Sequence, residues 1–160
     1  MLDWAATRDV PWGVLILFGG GLTLSSQFTA TGLSVWIGES VSGLEGLPPL
    51  LILAITALII ILLTELTSNT ATAAAFFPIM GAIATGLSID PLLMTIVVTF
   101  AVSCAFMLPV ATPSNAVAFA TGDLPIKSMI RAGIWLNAIG LIIIMAALYT
   151  FIPAVFGVMP

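Results

Sequence analysis

Residues 50–85 read LLILAITALIIILL-TELTSNT-ATAAAFFPIMGAIAT, and the placement of this stretch decides the fold. It is 36 residues long, too long for a single span, since a bilayer core of ~30 Å is crossed by roughly 20 apolar helical residues. Its middle, Thr64–Thr70, is polar. The flanking arms hold 14 and 15 residues and reach about 21–23 Å each as helices, short of a full crossing. Two short apolar arms meeting at a polar tip read as a helical hairpin that enters the membrane and returns.

Composition sets the same solvent. Of the 160 residues 61% are hydrophobic and 6% are charged, against about a quarter charged in soluble domains. Ten charged side chains do not coat a water-soluble globule, so a soluble enzyme, a disordered tail and a coiled coil are excluded. The chain has no His, which removes imidazole acid/base chemistry and His-ligated metals. Its one cysteine, Cys104, excludes an internal disulfide and a thiolate metal cage. Three basic residues offer no footprint for nucleic acid. No cofactor is expected. The reading is an all-α, multi-pass integral membrane protein of the plasma or inner membrane, with the lipid bilayer as its solvent.

Three further apolar stretches flank the hairpin. Residues 10–37 are a helix followed by an interfacial segment, and 132–153 are the last transmembrane helix. Residues 92–120 read as a helix broken at 109–115, where Pro109 and Pro113 bracket a polar run; proline removes a backbone donor and clashes with the preceding turn. Irregular backbone at membrane depth is tolerated where protein or a watery cavity encloses it. Charge agrees with the re-entrant placement. A returning hairpin puts Arg8, Lys127 and Arg131 on one face, which the positive-inside rule makes cytoplasmic, with the C-terminus outside. Trp36, Trp135 and Tyr149 suit interfacial anchors, and Asn137 suits an interhelical hydrogen bond.

The two breaks carry the candidate chemistry. Helix N-termini favour anions, whereas unwound carbonyls and helix C-termini favour cations. The second arm begins at Ser68-Asn69-Thr70, whose N–H groups and side chains suit a carboxylate. The first arm ends at Thr64-Glu65 with carbonyls suited to a hard monovalent cation, and the Ala111 carbonyl and Thr112 hydroxyl complete both from the broken helix. Discontinuous helices at mid-membrane point to a secondary-transporter site. Glu65, the one acid inside an apolar stretch, reads either as a functional group or as a hydrogen-bonded structural one.

The segments TELTSNTATAAAFFPIM (64–80), SCAFMLPVATPSNAVAFATG (103–122) and VPWGVLILFGGGLTLS (10–25) closely resemble the C-terminal half of the divalent anion:sodium symporters, the sodium-coupled dicarboxylate and citrate transporters. The resemblance covers about residues 3–152. It implies one repeat of an inverted-repeat fold, with Thr64, Thr67, Asn69 and the Ala111 carbonyl as a sodium site. It places Ser68, Asn69, Thr70, Thr112 and Pro113 on the substrate-carboxylate side, with Glu65, Ser114 and Asn115 supporting. Ser114 departs from the family, which often has a second proline there. The implied activity is sodium-coupled symport of small dicarboxylates such as succinate or citrate, or of similar dianions, with sodium as the coupling ion. The family's site lies between two repeats and this chain has one hairpin tip, so half of a site is expected, completed by an amino-terminal repeat or a pairing chain; the resemblance also implies a homodimer. The rival readings are a proton-coupled anion carrier using Glu65 and a non-transporting membrane scaffold.

Overall fold

The structure is a computed structural model that describes residues 12–41, 43 and 46–158. Arg8, at the start of the charge argument, lies outside the described residues, as does Val10 at the start of the first stretch. Among the described residues the secondary structure is helical throughout: α1 (Trp12–Ala30), α2 (Leu33–Val41), α3 (Pro49–Thr64), α4 (Asn69–Gly86), α5 (Pro91–Ala101), α6 (Pro113–Ala120) and α7 (Ile126–Phe156).

Proline and glycine set most of the boundaries. Pro49 opens α3 behind an extended Pro48, where a missing N–H costs nothing because the first helical donors have no intrahelical acceptor. Pro91 opens α5 in the same way, and the Asp90 carboxylate caps it by accepting from Leu92 N at 2.8 Å. Between α1 and α2 the chain turns at Gly32 with φ of +73°, a conformation that a side chain would strain.

α3 and α4 hold 16 and 18 residues and are joined by the short turn 65–68. The 92–120 stretch differs from expectation in where it breaks. α5 stops at Ala101, the backbone is non-helical over 102–112, and Pro113, Ser114 and Asn115 form the first turn of α6. The expected break at 109–115 therefore lies earlier in the chain, for a reason supplied by Glu65 below. α7 starts at Ile126, so Lys127 and Arg131 belong to its first turns, and it runs through Pro153 to the left-handed Gly157. At 31 residues it is the one described helix long and apolar enough to cross a membrane by length and composition.

The core forms around the short α5. Leu93, Met94, Val97 and Val98 are fully enclosed by Leu53, Ile60 and Ile61 of α3, Met80 and Ala84 of α4, and Ile144, Leu148 and Ile152 of α7. α4 packs on α1, α2 and α5, and α3 packs chiefly on α5 and α7. The opposite faces of α3 and α7 are apolar and exposed, including Ile55, Leu58, Ile59, Leu62, Ile142 and Ile143. This is the inverse of a soluble protein's pattern. Trp36, Trp135 and Tyr149 are exposed as well.

Candidate functional site

The tip between α3 and α4 meets the unwound segment 102–112 through two adjacent residues that do different things. Thr64, the last residue of α3, is fully buried. Its Oγ1 lies 2.6 Å from Asn69 Oδ1 and 3.1 Å from the carbonyl of Val102, the C-cap of α5. A hydroxyl has one proton, so three oxygens from two helix C-termini and one amide share a single hydrogen. Such a cluster is short of positive charge, and the partial negative ends of α3 and α5 reinforce the deficit.

Glu65 is 1% exposed and surrounded by donors. Its Oε1 accepts from Phe106 N (2.9 Å), Met107 N (3.0 Å) and Asn137 Nδ2 (2.7 Å), and its Oε2 accepts from Met107 N and Leu108 N, both at 3.0 Å. This carboxylate is what a helix over 102–108 would lack. In an α-helix those three N–H groups would point at carbonyls one turn back; here they converge on Glu65, and α5 ends at Ala101 in consequence.

α7 is shaped to receive that segment. A Cβ at Gly133 would sit 2.5 Å from Met107 Cα and Phe106 O, and one at Gly140 would sit 2.9 Å from Cys104 Sγ. Gly133, Asn137 and Gly140 lie on one helix face at spacings of four and three. Gly133 lets backbone approach backbone, Gly140 makes room for the Cys104 side chain, and Asn137 between them reaches Glu65. The expected interhelical bond of Asn137 thus has a partner that sequence did not supply.

The remaining candidates group unevenly. Thr67 Oγ1 donates to Leu63 O at 2.9 Å and pairs with the buried Thr72 hydroxyl, which in turn reaches Ser68 O at 3.1 Å. Thr72 is a further member that the motif alone does not single out; its position four residues after Ser68, one helical turn into α4, is its signal. Ser68 is the extended N-cap of α4, with no capping bond from its side chain, and both Ser68 and Thr70 are exposed. Thr112 caps α6, accepting from Asn115 N at 3.2 Å and pairing with Ser114 Oγ at 2.9 Å. Asn115 Nδ2 donates to Ala105 O (2.8 Å) and Leu108 O (3.0 Å). Ala111 is buried and donates its N–H to Leu108 O. Among the described residues, the hydrogen bonds between tip and unwound segment run through Thr64 to Val102 and through Glu65 to 106–108. Ala111, Thr112 and Pro113 make none to the tip. Val102 and the 106–108 amides are backbone partners with no signature in residue type.

Two comparisons identify the family. The chain matches the family described as the sodium:sulfate symporter transmembrane region over residues 1–158. It is 42% identical over 158 residues to the sodium-dependent dicarboxylate transporter SdcS of Staphylococcus saprophyticus, and equally so to SdcS of Staphylococcus aureus strain MRSA252. In both alignments 99% of this chain is covered but 30% of the relative, so the chain spans about a third of the length of the curated relatives it matches. A match over nearly the whole sequence, at this identity, decides the family: the chain belongs to the sodium:sulfate symporter transmembrane region family, whose members are membrane transporters and not enzymes.

Proposed function

We propose that this chain supplies one half of the ion and substrate site of a sodium-coupled carrier for small dicarboxylates or similar dianions. The observation that carries the reading is the oxygen cluster of Thr64, Asn69 and Val102 O, placed where α3 and α5 end and α4 begins. A monovalent cation suits three oxygens with one shared proton. Asn69 stands at the hinge between the two chemistries, with its amide oxygen in the cluster and its backbone in the first turn of α4. The N-termini of α4 and α6, with Ser68, Asn69 and Thr70 on one and Thr112, Pro113 and Ser114 on the other, would meet a carboxylate. In this reading Thr67 and the Ala111 carbonyl join the sodium side, α3 and α4 form the re-entrant hairpin, and an amino-terminal repeat or pairing chain supplies the opposite half.

Cations at the cluster would bind first and make a dianion tolerable at mid-membrane. The names of the SdcS relatives, sodium-dependent and dicarboxylate, agree with this. Glu65 fits a proton carrier poorly. Four donor groups face its oxygens, and a carboxyl O–H would be set against one of them.

The test is uptake of labelled succinate into proteoliposomes by the carrier containing this chain, with and without a sodium gradient at constant pH. Asn69→Ala is expected to abolish both sodium dependence and succinate uptake. Normal sodium-driven uptake by that variant would overturn the assignment, and undiminished uptake without sodium would favour proton coupling.

A further inference from the structure

Glu65 belongs to neither the oxygen cluster nor the helix N-termini, yet it makes the densest polar contacts among the described residues. The segment it holds is clamped on both sides. Its carboxylate takes the N–H groups of Phe106, Met107 and Leu108, while the Asn115 side chain donates to the carbonyls of Ala105 and Leu108. Leu108 is therefore fixed at both backbone ends, by the tip on one side and by α6 on the other. Asn115 also donates its own N–H to Thr112 Oγ1. A path of hydrogen bonds thus runs from Glu65, which follows Thr64 directly in the chain, through Leu108 to Asn115 and Thr112 at the N-terminus of α6. Asn137 anchors the same carboxylate to α7, whose Gly133 removes the side chain that would hold the segment away.

We propose that Glu65 is a positioning residue, with Asn115 as its counterpart. Together they lock the unwound segment between the hairpin tip and α6, so that occupation of the Thr64–Asn69 cluster is transmitted to the anion-facing end of α6. The transmission rests on the sodium reading above; the lock does not. Non-helical backbone at membrane depth needs its N–H and C=O groups satisfied internally, and these two side chains satisfy three N–H groups and two carbonyls of the segment. The lock also gives the buried acid a task that requires no protonation change.

Hydrogen exchange on the full chain in lipid nanodiscs separates the two parts. The amides of 106–108 are expected to be as protected as helical ones although the segment is not helical. In Glu65→Gln, which keeps one acceptor oxygen and sets an NH2 against the donors, their exchange should quicken at least about tenfold, while 93–98 in α5 stays unchanged. Sodium should slow exchange at 69–72 and 114–116 in the native chain, and at 69–72 alone in the variant. Unchanged exchange at 106–108 in Glu65→Gln overturns the lock. A sodium response at 114–116 that survives in the variant overturns the transmission. Should the native tip ignore sodium altogether, the sodium reading and the transmission fail together, and the 106–108 amides still decide the lock. Should Glu65→Gln fail to fold, Asn115→Ala is read the same way, by faster exchange over 106–108 and loss of the sodium response at 114–116.

Discussion

Replacing Gly133 with alanine tests the close approach on which the site's geometry depends. The added Cβ would lie 2.5 Å from Met107 Cα and Phe106 O and 2.6 Å from Phe106 C. Carbon pairs are comfortable near ~3.5–4.0 Å, so the unwound segment or α7 must retreat by about 1 Å. All three neighbours are backbone atoms, and no rotamer change relieves them. A retreat of the segment lengthens the 2.9–3.0 Å bonds from Phe106 and Met107 to Glu65 beyond useful range, and a retreat of α7 does the same to the 2.7 Å bond from Asn137. Overpacking costs ~1–3 kcal/mol, and each weakened bond to a charged acceptor adds roughly 1.5–3 kcal/mol. A loss of at least about 3 kcal/mol is expected. Unfolding in mixed micelles, followed by helical circular dichroism against denaturing detergent fraction, measures it. Gly81→Ala in α4 is the internal control, because nothing lies within 4 Å of its added Cβ. A helical glycine free of contacts should gain ~0.5–1 kcal/mol on that change. If Gly133→Ala proves as stable as Gly81→Ala, α7 does not cradle the unwound segment and the reasoning fails.

Gly140→Ala should be milder and repairable, because its added Cβ meets only the Cys104 side chain at close range, with Sγ at 2.9 Å. Cys104→Ala should restore most of the loss in the double variant, and strict additivity in the same unfolding assay would contradict that contact. Thr64→Val keeps the shape of the last residue of α3 but deletes the shared hydroxyl. In the intact carrier the sodium concentration for half-maximal uptake should rise about tenfold or more, with Thr64→Ser near native; equal effects of Val and Ser would remove the hydroxyl from the ion site.

The helices were legible where punctuation is local. Pro49, Asp90-Pro91 and the polar interruption at 64–70 mark boundaries within a residue or two of those observed. The break in the 92–120 stretch was not, and the reason is physical. Val102–Leu108 is apolar and helix-compatible by residue type, and the group that unwinds it, Glu65, lies more than 40 residues earlier in the chain. The prolines at 109 and 113 drew the expected break towards themselves, whereas Pro113 opens a helix. Glu65 was equally ambiguous, because its meaning lies in the donors around it. Thr64 and Asn69 could be paired from the motif, but the partner that makes their cluster cation-like is the Val102 carbonyl, and a backbone oxygen carries no sequence signature.

That division between neutral and charged groups bears on how such a carrier would use the membrane potential. In the proposed site the groups offered to ion and substrate on this half are all neutral: hydroxyls, an amide, carbonyls and N–H groups. Glu65, the one buried acid among the described residues, is held by four donors of its own and lies outside the cluster. In the proposed cycle Glu65 stays bound to these donors in both the loaded and the empty states. If its element moves through the field, the contribution of Glu65 on the loaded passage is returned on the empty one. The net charge per cycle on this half is then the cargo's alone, sodium minus dianion. Each net positive charge carried inward gains ~2.3 kcal/mol per 100 mV of inside-negative potential. An acid that took up a cation directly would compensate part of the cargo's charge and make the empty return voltage-dependent. A neutral oxygen cluster beside a separately satisfied carboxylate leaves the net charge per cycle to the cargo, while a moving Glu65 would add equal and opposite terms to the loaded and empty passages.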